Sequence, residues 1–362
     1  MVLPDLPVLL NHINGSQLEW FIIPAFAFTA LLLRPISGKL CDTIGRVPVM
    51  CIGGIVATIA SSLYLILPFV FLFFVIRAFH GLSAGFTPTG FTSFADDIVP
   101  FHKRGEAMGI IGIFNNVGNA MGWVFGSFIT KEFDITTTFT LSSVFGFISL
   151  VIFINLKDVI KNKQTFNFNL LKVNKGDVFE TRIWLPGIVM VFAVFSSGCI
   201  LALIGDYSEY LNIENKGTYM VIYIAFSLFV RFFAGRWSDK YGRKKISTIG
   251  VFLLFLSMLF LAFSTEFYLY AISAILFGFA FGLLSPSLFA WAVDLAEEGK
   301  KGKAVGTLFI FLEVGVILGS GISGLIYNNN PNQFFNAFLL SAILSLIIFV
   351  FLILKKNAPF KH

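Results

Sequence analysis

Two stretches of this 362-residue sequence place a carboxylate and an arginine at one fixed spacing. The first is Gly38-Lys39-Leu40-Cys41-Asp42-Thr43-Ile44-Gly45-Arg46. The second is Gly235-Arg236-Trp237-Ser238-Asp239-Lys240-Tyr241-Gly242-Arg243. Both read G-x-x-x-D-x-x-G-R, and Arg34 and Arg231 stand four residues ahead of them. The chemistry open to such residues is charge pairing at a helix end. A glycine without a side chain lets a neighbouring helix pack against the backbone. Asp42 and Asp239 precede the next helix, whose N-terminal dipole favours a carboxylate.

The two stretches belong to a longer repeat. At a constant offset of 197 residues, Gly81 and Gly85 map to Gly278 and Gly282, and Asp97 maps to Asp294. Gly105, Gly109, Gly118 and Gly122 map to Gly302, Gly306, Gly315 and Gly319. A register held from residue 34 to residue 122 is an internal duplication.

The elements that must carry these residues are membrane helices. The chain is 57% hydrophobic and only 13% charged, too little charge to cover a soluble domain. Eleven apolar runs, from Leu18–Ile36 to Phe334–Leu354, reach the roughly 20 residues a bilayer-crossing helix needs. The fold class is therefore an all-α membrane protein with two pseudo-symmetric bundles. Of the 26 Lys and Arg, three (Arg34, Arg77 and Arg231) lie in or at the ends of spans. On one side the connections hold only Lys131 and Lys216; the other side and the C-terminal tail hold the remaining 21. The positive-inside rule puts the basic side and the C-terminus in the cytoplasm and residue 1 outside. The net charge of +6 thus reports topology, not nucleic acid. Cys41, Cys51 and Cys199 show no pairing or metal spacing, no cofactor motif appears, and no nucleophile–base pair suggests an enzyme.

Residues 1–156 are expected to form an N-terminal bundle, 157–182 a polar cytoplasmic linker, and 183–362 a C-terminal bundle. Shifted back by 197, the span Ile183–Leu203 begins before residue 1, so residues 1–10 read as the outer end of a partial first helix. The expectation is that Met1 is an internal methionine; a true truncation is the alternative.

At this point the residues resemble a family. The repeated loop motif, between the second and third spans of each half, is similar to that of the major facilitator superfamily of secondary transporters. Arg77-x-x-x-Gly81-x-x-x-Gly85 matches a second family motif. Gly109, Gly118, Gly122 and Gly126 resemble the antiporter signature of drug exporters, although Trp123 and Ser127 replace its usual proline and final glycine. The resemblance implies six plus six helices, alternating access around a midplane site, a small-molecule substrate, protons as the coupling ion and a monomer in the cell membrane. It further implies that Gly38, Asp42, Gly45, Arg46 and Asp97, with Gly235, Asp239, Gly242, Arg243 and Asp294, form charge networks that gate the cytoplasmic side. Efflux of drugs or metabolites is the leading expectation. Proton-coupled uptake of a nutrient is the first alternative, and a non-transporting receptor or remnant the second.

Three buried-span residues stand out. Arg77 lies about 12 Å into its span at 1.5 Å per residue, and its counterpart is Ala274. A lone arginine in lipid is costly, so it is expected to face the central cavity, with snorkelling to the headgroups as the alternative. His80 is one turn along and reads as packing or proton relay. Glu313, whose counterpart is Asn116, is a mid-span carboxylate with no basic residue beside it in sequence, and is expected to carry a proton.

Overall fold

Each apolar run closes its own backbone hydrogen bonds as a helix, since lipid offers no other partner. The structure, a computed structural model, describes residues 5–15, 18, 21–66, 69–160, 163–172, 179–213, 217–328 and 330–355. Residues 1–4 of the expected partial helix, linker residues 161–162 and 173–178, and Lys216 lie outside the described residues. Among the described residues there are helices and no strands. In chain order they are α1 (Leu6–His12), α2 (Ile22–Thr43), α3 (Arg46–Leu63), α4 (Val70–Ile98), α5 (Arg104–Glu132) and α6 (Ile135–Ile154). The second half supplies α7 (Trp184–Tyr210), α8 (Thr218–Tyr241), α9 (Arg243–Ala262), α10 (Phe267–Leu295), α11 (Lys301–Tyr327) and α12 (Phe334–Leu354). Nine described helices (α3, α4 and α6–α12) are long and apolar enough to cross a membrane. The 22-residue α2 and 29-residue α5 lie where the sequence places two further spans.

The second glycine of each motif makes the turn that follows it. Gly45 separates α2 from α3 at φ 117°, and Gly242 separates α8 from α9 at φ 94°. A side chain is strained in that region and glycine is not. The turn therefore delivers Arg46 and Arg243 as the first residues of α3 and α9.

The short α1 has the ending of a much longer helix. Asn14 and Asn212 adopt positive φ two residues beyond α1 and α7. The N–H of Gly15 bonds the Leu10 carbonyl five residues back, and that of Ile213 bonds Ser208 in the same way. This is one Schellman cap used twice. It makes α1 the counterpart of the last turns of α7.

The chain divides into two compact units. Unit 1 comprises Met1–Val99, Phe114–Ile183 and Leu295–Glu313; unit 2 comprises Pro100–Ile113, Trp184–Asp294 and Val314–His362. In unit 1, α1 is seated by Leu6 and Leu10, which join Ile22, Tyr64, Phe73, Ile76 and Phe139 in a buried cluster. In unit 2, Val230 and Ala234 of α8 pack with Ile246 and Leu283. Glycines bring α4 close to α2 and α10 close to α8. A Cβ at Gly81 would come within 2.5 Å of the Phe26 carbonyl, and one at Gly278 within 2.7 Å of the Tyr223 carbonyl.

Candidate functional site

The motif carboxylates cap helices from the opposite half of the sequence. In unit 1, Asp42 accepts hydrogen bonds from the backbone N–H groups of Gly302 and Lys303, both at 2.8 Å. These are the free donors of the first turn of α11, where the helix dipole favours an anion. In unit 2, Asp239 accepts from Gly105 at 2.9 Å and Glu106 at 3.0 Å, in the first turn of α5. The sequence reading assigns Asp42 and Asp239 to the helix that follows each of them. The dipole argument is right and the helix is different. The N-terminus of α3 is met instead by Asp158, which accepts from the Val47 N–H at 3.0 Å.

The arginines tie each carboxylate to a second one. Arg46 donates to Asp42 at 2.6 Å and to Asp97 at 3.0 Å. Arg243 donates to Asp239, and to Asp294 at 2.8 Å. A third cation closes each cluster. Lys301 lies 2.7 Å from Asp96 and 3.0 Å from Asp97, while Arg104 donates to Asp294 at 3.1 Å. Glycine sets how close the helices come. A Cβ at Gly38 would lie 2.9 Å from the Gly302 carbonyl, and one at Gly105 would lie 2.6 Å from that of Gly235. The result is two clasps, α2 on α11 in unit 1 and α8 on α5 in unit 2. Lys301 and Arg104 were not singled out from the sequence, nor was Asp96. The repeat could have found the cations, because position 104 plus 197 is position 301.

One turn before each clasp stands an arginine, and here the halves diverge. Arg34 donates to Glu313 at 3.1 Å and to Thr89 at 3.1 Å, and its guanidinium lies 4.0 Å from the centre of the Phe309 ring. The expectation that Glu313 lacks a basic neighbour is corrected: its partner comes from 279 residues earlier in the chain. Among the described residues Arg231 has one hydrogen bond, a long 3.4 Å donation to Ser227.

Arg77 is buried in unit 1. It donates to the Ile22 carbonyl at 3.0 Å, and its guanidinium lies 4.3 Å from the Phe26 ring centre. His80 meets the same ring edge-on at 5.6 Å and Tyr64 at 6.0 Å. An aromatic wall thus screens a cation that has no carboxylate against it among the described residues. The glycines of the third motif differ among themselves. Gly109 packs on α8, its Cβ position 3.0 Å from the Arg231 carbonyl, whereas a Cβ at Gly118 would meet nothing within 4 Å. Gly85 faces Leu33, Gly122 is half-buried in α5, and the Gly126 carbonyl accepts from Thr138 at 3.4 Å. The side chains of Trp123 and Ser127 lie outside the described set.

Outside the spans, Asp158 of the linker bonds the start of α3. Burial raises the proton affinity of Asp158, but the N–H groups of Ile160 and Val47 and the Lys163 ammonium outweigh it and hold the carboxyl below its usual range.

A repeated set of membrane helices, with paired charge clasps and buried ionisable groups in its spans, fits the class of secondary transporters. The chain belongs to the Major Facilitator Superfamily, whose family model matches residues 1–219 and 186–362. It is similar to the multi-drug resistance efflux pump PmrA of Streptococcus pneumoniae, with 27% identity covering 90% of this chain and 85% of that one. It is also similar to the quinolone resistance protein NorA of Staphylococcus aureus, 22% identical over 91% of this chain and 86% of that one. A crystal structure of the human organic anion transporter MFSD10 (TETRAN) shares the fold with a TM-score of 0.81 and 16% identity, covering 96% and 88% of the two chains.

Proposed function

We propose that this transporter exports small amphiphilic solutes from the cytoplasm in exchange for protons, as a monomer whose clasped end and C-terminus face the cytoplasm. The basic residues concentrated on that side support the orientation. The activities in the relatives' names, multidrug and quinolone resistance, support export of amphiphilic drugs or metabolites. The clasps serve as gates: intact, they hold the cytoplasmic ends of α2 and α11, and of α8 and α5, together while solute leaves on the outer side.

One observation carries the coupling, the buried Arg34–Glu313 pair at 3.1 Å, with side chains 3% and 13% exposed. Protonating Glu313 removes the counter-charge of a guanidinium that has no other carboxylate among the described residues, and breaking a buried pair costs about 3–5 kcal/mol. That penalty falls on the α2–α11 contact one turn from Asp42, so proton arrival loosens the gate. In everted vesicles with an acidic lumen, adding a quinolone should raise the luminal pH as drug enters and protons leave. A symporter would acidify the lumen instead. No drug-dependent change in wild-type vesicles, or an unchanged response in Glu313→Gln, would refute the coupling.

A further inference from the structure

Arg34 and Arg231 occupy equivalent positions, but the side chains that satisfy Arg34 are absent at the positions matching them for Arg231. At the offset of 197, Thr89 becomes Pro286, Phe309 becomes Gly112 and Glu313 becomes Asn116. Arg231 is nonetheless only 7% exposed. Its one hydrogen bond among the described residues is the long one from Nε to Ser227, and no carboxylate lies within ion-pair distance of it. Its guanidinium rests over Gly112, where any side chain would collide with it. Removing a guanidinium from water without a counter-charge is costly, and its planar fork of donors matches an acidic group.

The surroundings show what kind of acid fits. Tyr223, Ser227 and Arg231 lie at i, i+4 and i+8 of α8, on one face of the helix. Tyr223 stands about two turns before Arg231 on this face. It packs edge-on against Phe277 at 5.2 Å and Phe281 at 6.3 Å. One end of the face is a bare guanidinium and the other is aromatic.

We infer that Arg231 is a substrate-recognition residue that binds the carboxylate of an aromatic organic acid, with Ser227 and Tyr223 completing the polar contacts and the rings of α8 and α10 holding the apolar part. Arg34 cannot share this role, because Glu313 occupies it. The inference rests on the export reading and adds acids and zwitterions as a substrate class recognised at this site.

The test compares a quinolone that carries a free carboxylate with its methyl ester, using the purified full chain in phosphatidylcholine nanodiscs. The acid should protect wild-type protein against thermal unfolding at concentrations about tenfold or more below those the ester needs, as expected for hydrogen bonds to a charged group. Arg231→Gln should abolish the preference, and Arg231→Lys should keep part of it. Equal protection by acid and ester, protection by neither, or an unchanged preference in Arg231→Gln overturns the inference. The wild-type arm decides even if a variant does not fold. Adding phosphatidylglycerol should leave acid binding unchanged; competition would assign the guanidinium to a lipid phosphate and overturn the solute assignment. Efflux of a permanently cationic dye by the wild-type protein tests export separately from the acid site. If the acid preference fails while dye efflux persists, export stands and the acid site falls. If wild type moves neither drug nor dye, the export reading itself has failed.

Discussion

The α2–α11 clasp and the α8–α5 clasp use the same parts, yet only the first has a charged pair one turn behind it. In both, an aspartate caps a partner helix with two backbone bonds of 2.8–3.0 Å. In both, an arginine joins that aspartate to another on the next repeat helix. Behind the first clasp stands the Arg34–Glu313 pair, and behind the second stands Arg231, whose one hydrogen bond among the described residues is to Ser227. Duplication supplied two latches built on the same aspartate–arginine–aspartate plan. On the proposed coupling, the divergence of a few residues around one arginine would make the first latch proton-sensitive and leave the second beside an arginine without an ion pair among the described residues. The lesson is that pseudo-symmetry conserves the scaffold of motion, and the departures from it carry the specific chemistry.

The largest expected effect tests that division by stability. Arg34→Met strands Glu313 and should cost up to about 3–5 kcal/mol, the range for breaking a buried pair. Arg231→Met removes no ion pair and should stay within about 1 kcal/mol of wild type. Thermal unfolding of the purified proteins measures both, and equal losses would erase the contrast. Next, the double variant Arg34→Met with Glu313→Met should regain most of the stability lost by the single change, because apolar replacement of a whole buried pair is close to neutral. Its transport should lose pH dependence. A double variant as unstable as the single one would mean that the ion pair is not what Arg34 contributes.

The clasps themselves should respond alike. Asp42→Asn and Asp239→Asn each weaken two charge-assisted bonds to a helix N-terminus, and each should slow drug efflux by about tenfold or more. A large loss in one and none in the other would show that the latches are not equivalent in use. The smallest effect concerns the linker. Asp158→Asn should destabilise by about 1 kcal/mol, the usual scale for an N-terminal cap. The Asp158 carboxyl is held below its ordinary range in the folded protein. Its contribution is therefore complete above the unfolded carboxylate pKa and is lost as pH falls through the folded value. Unfolding scans from neutral into the acid range should show the wild-type advantage over Asp158→Asn shrink.

Much of this was legible in the sequence because it is periodic. Apolar runs gave the long helices, the 197-residue offset gave the halves, and the motif residues Asp42, Arg46, Asp239 and Arg243 carried their own spacing. What stayed hidden depends on contacts between distant segments. Nothing near Glu313 in sequence reveals Arg34, and nothing near Asp42 says that α11 supplies the N–H groups. Local pattern pointed to α3, which is nearer in sequence but is capped by Asp158. Lys301 and Arg104 were within reach, since both precede a repeat glycine at the same offset. Asp96 was not, because its counterpart is Val293 and a one-sided residue leaves no signal in a repeat.

The central claim is that neutralising Glu313 loosens one latch and spares the other. Backbone hydrogen exchange reads this directly at four amides: Gly302 and Lys303, which donate to Asp42, and Gly105 and Glu106, which donate to Asp239. In Glu313→Gln, protection at residues 302–303 should fall well below wild type while protection at 105–106 stays unchanged. Loss at both pairs, or at neither, would contradict the account.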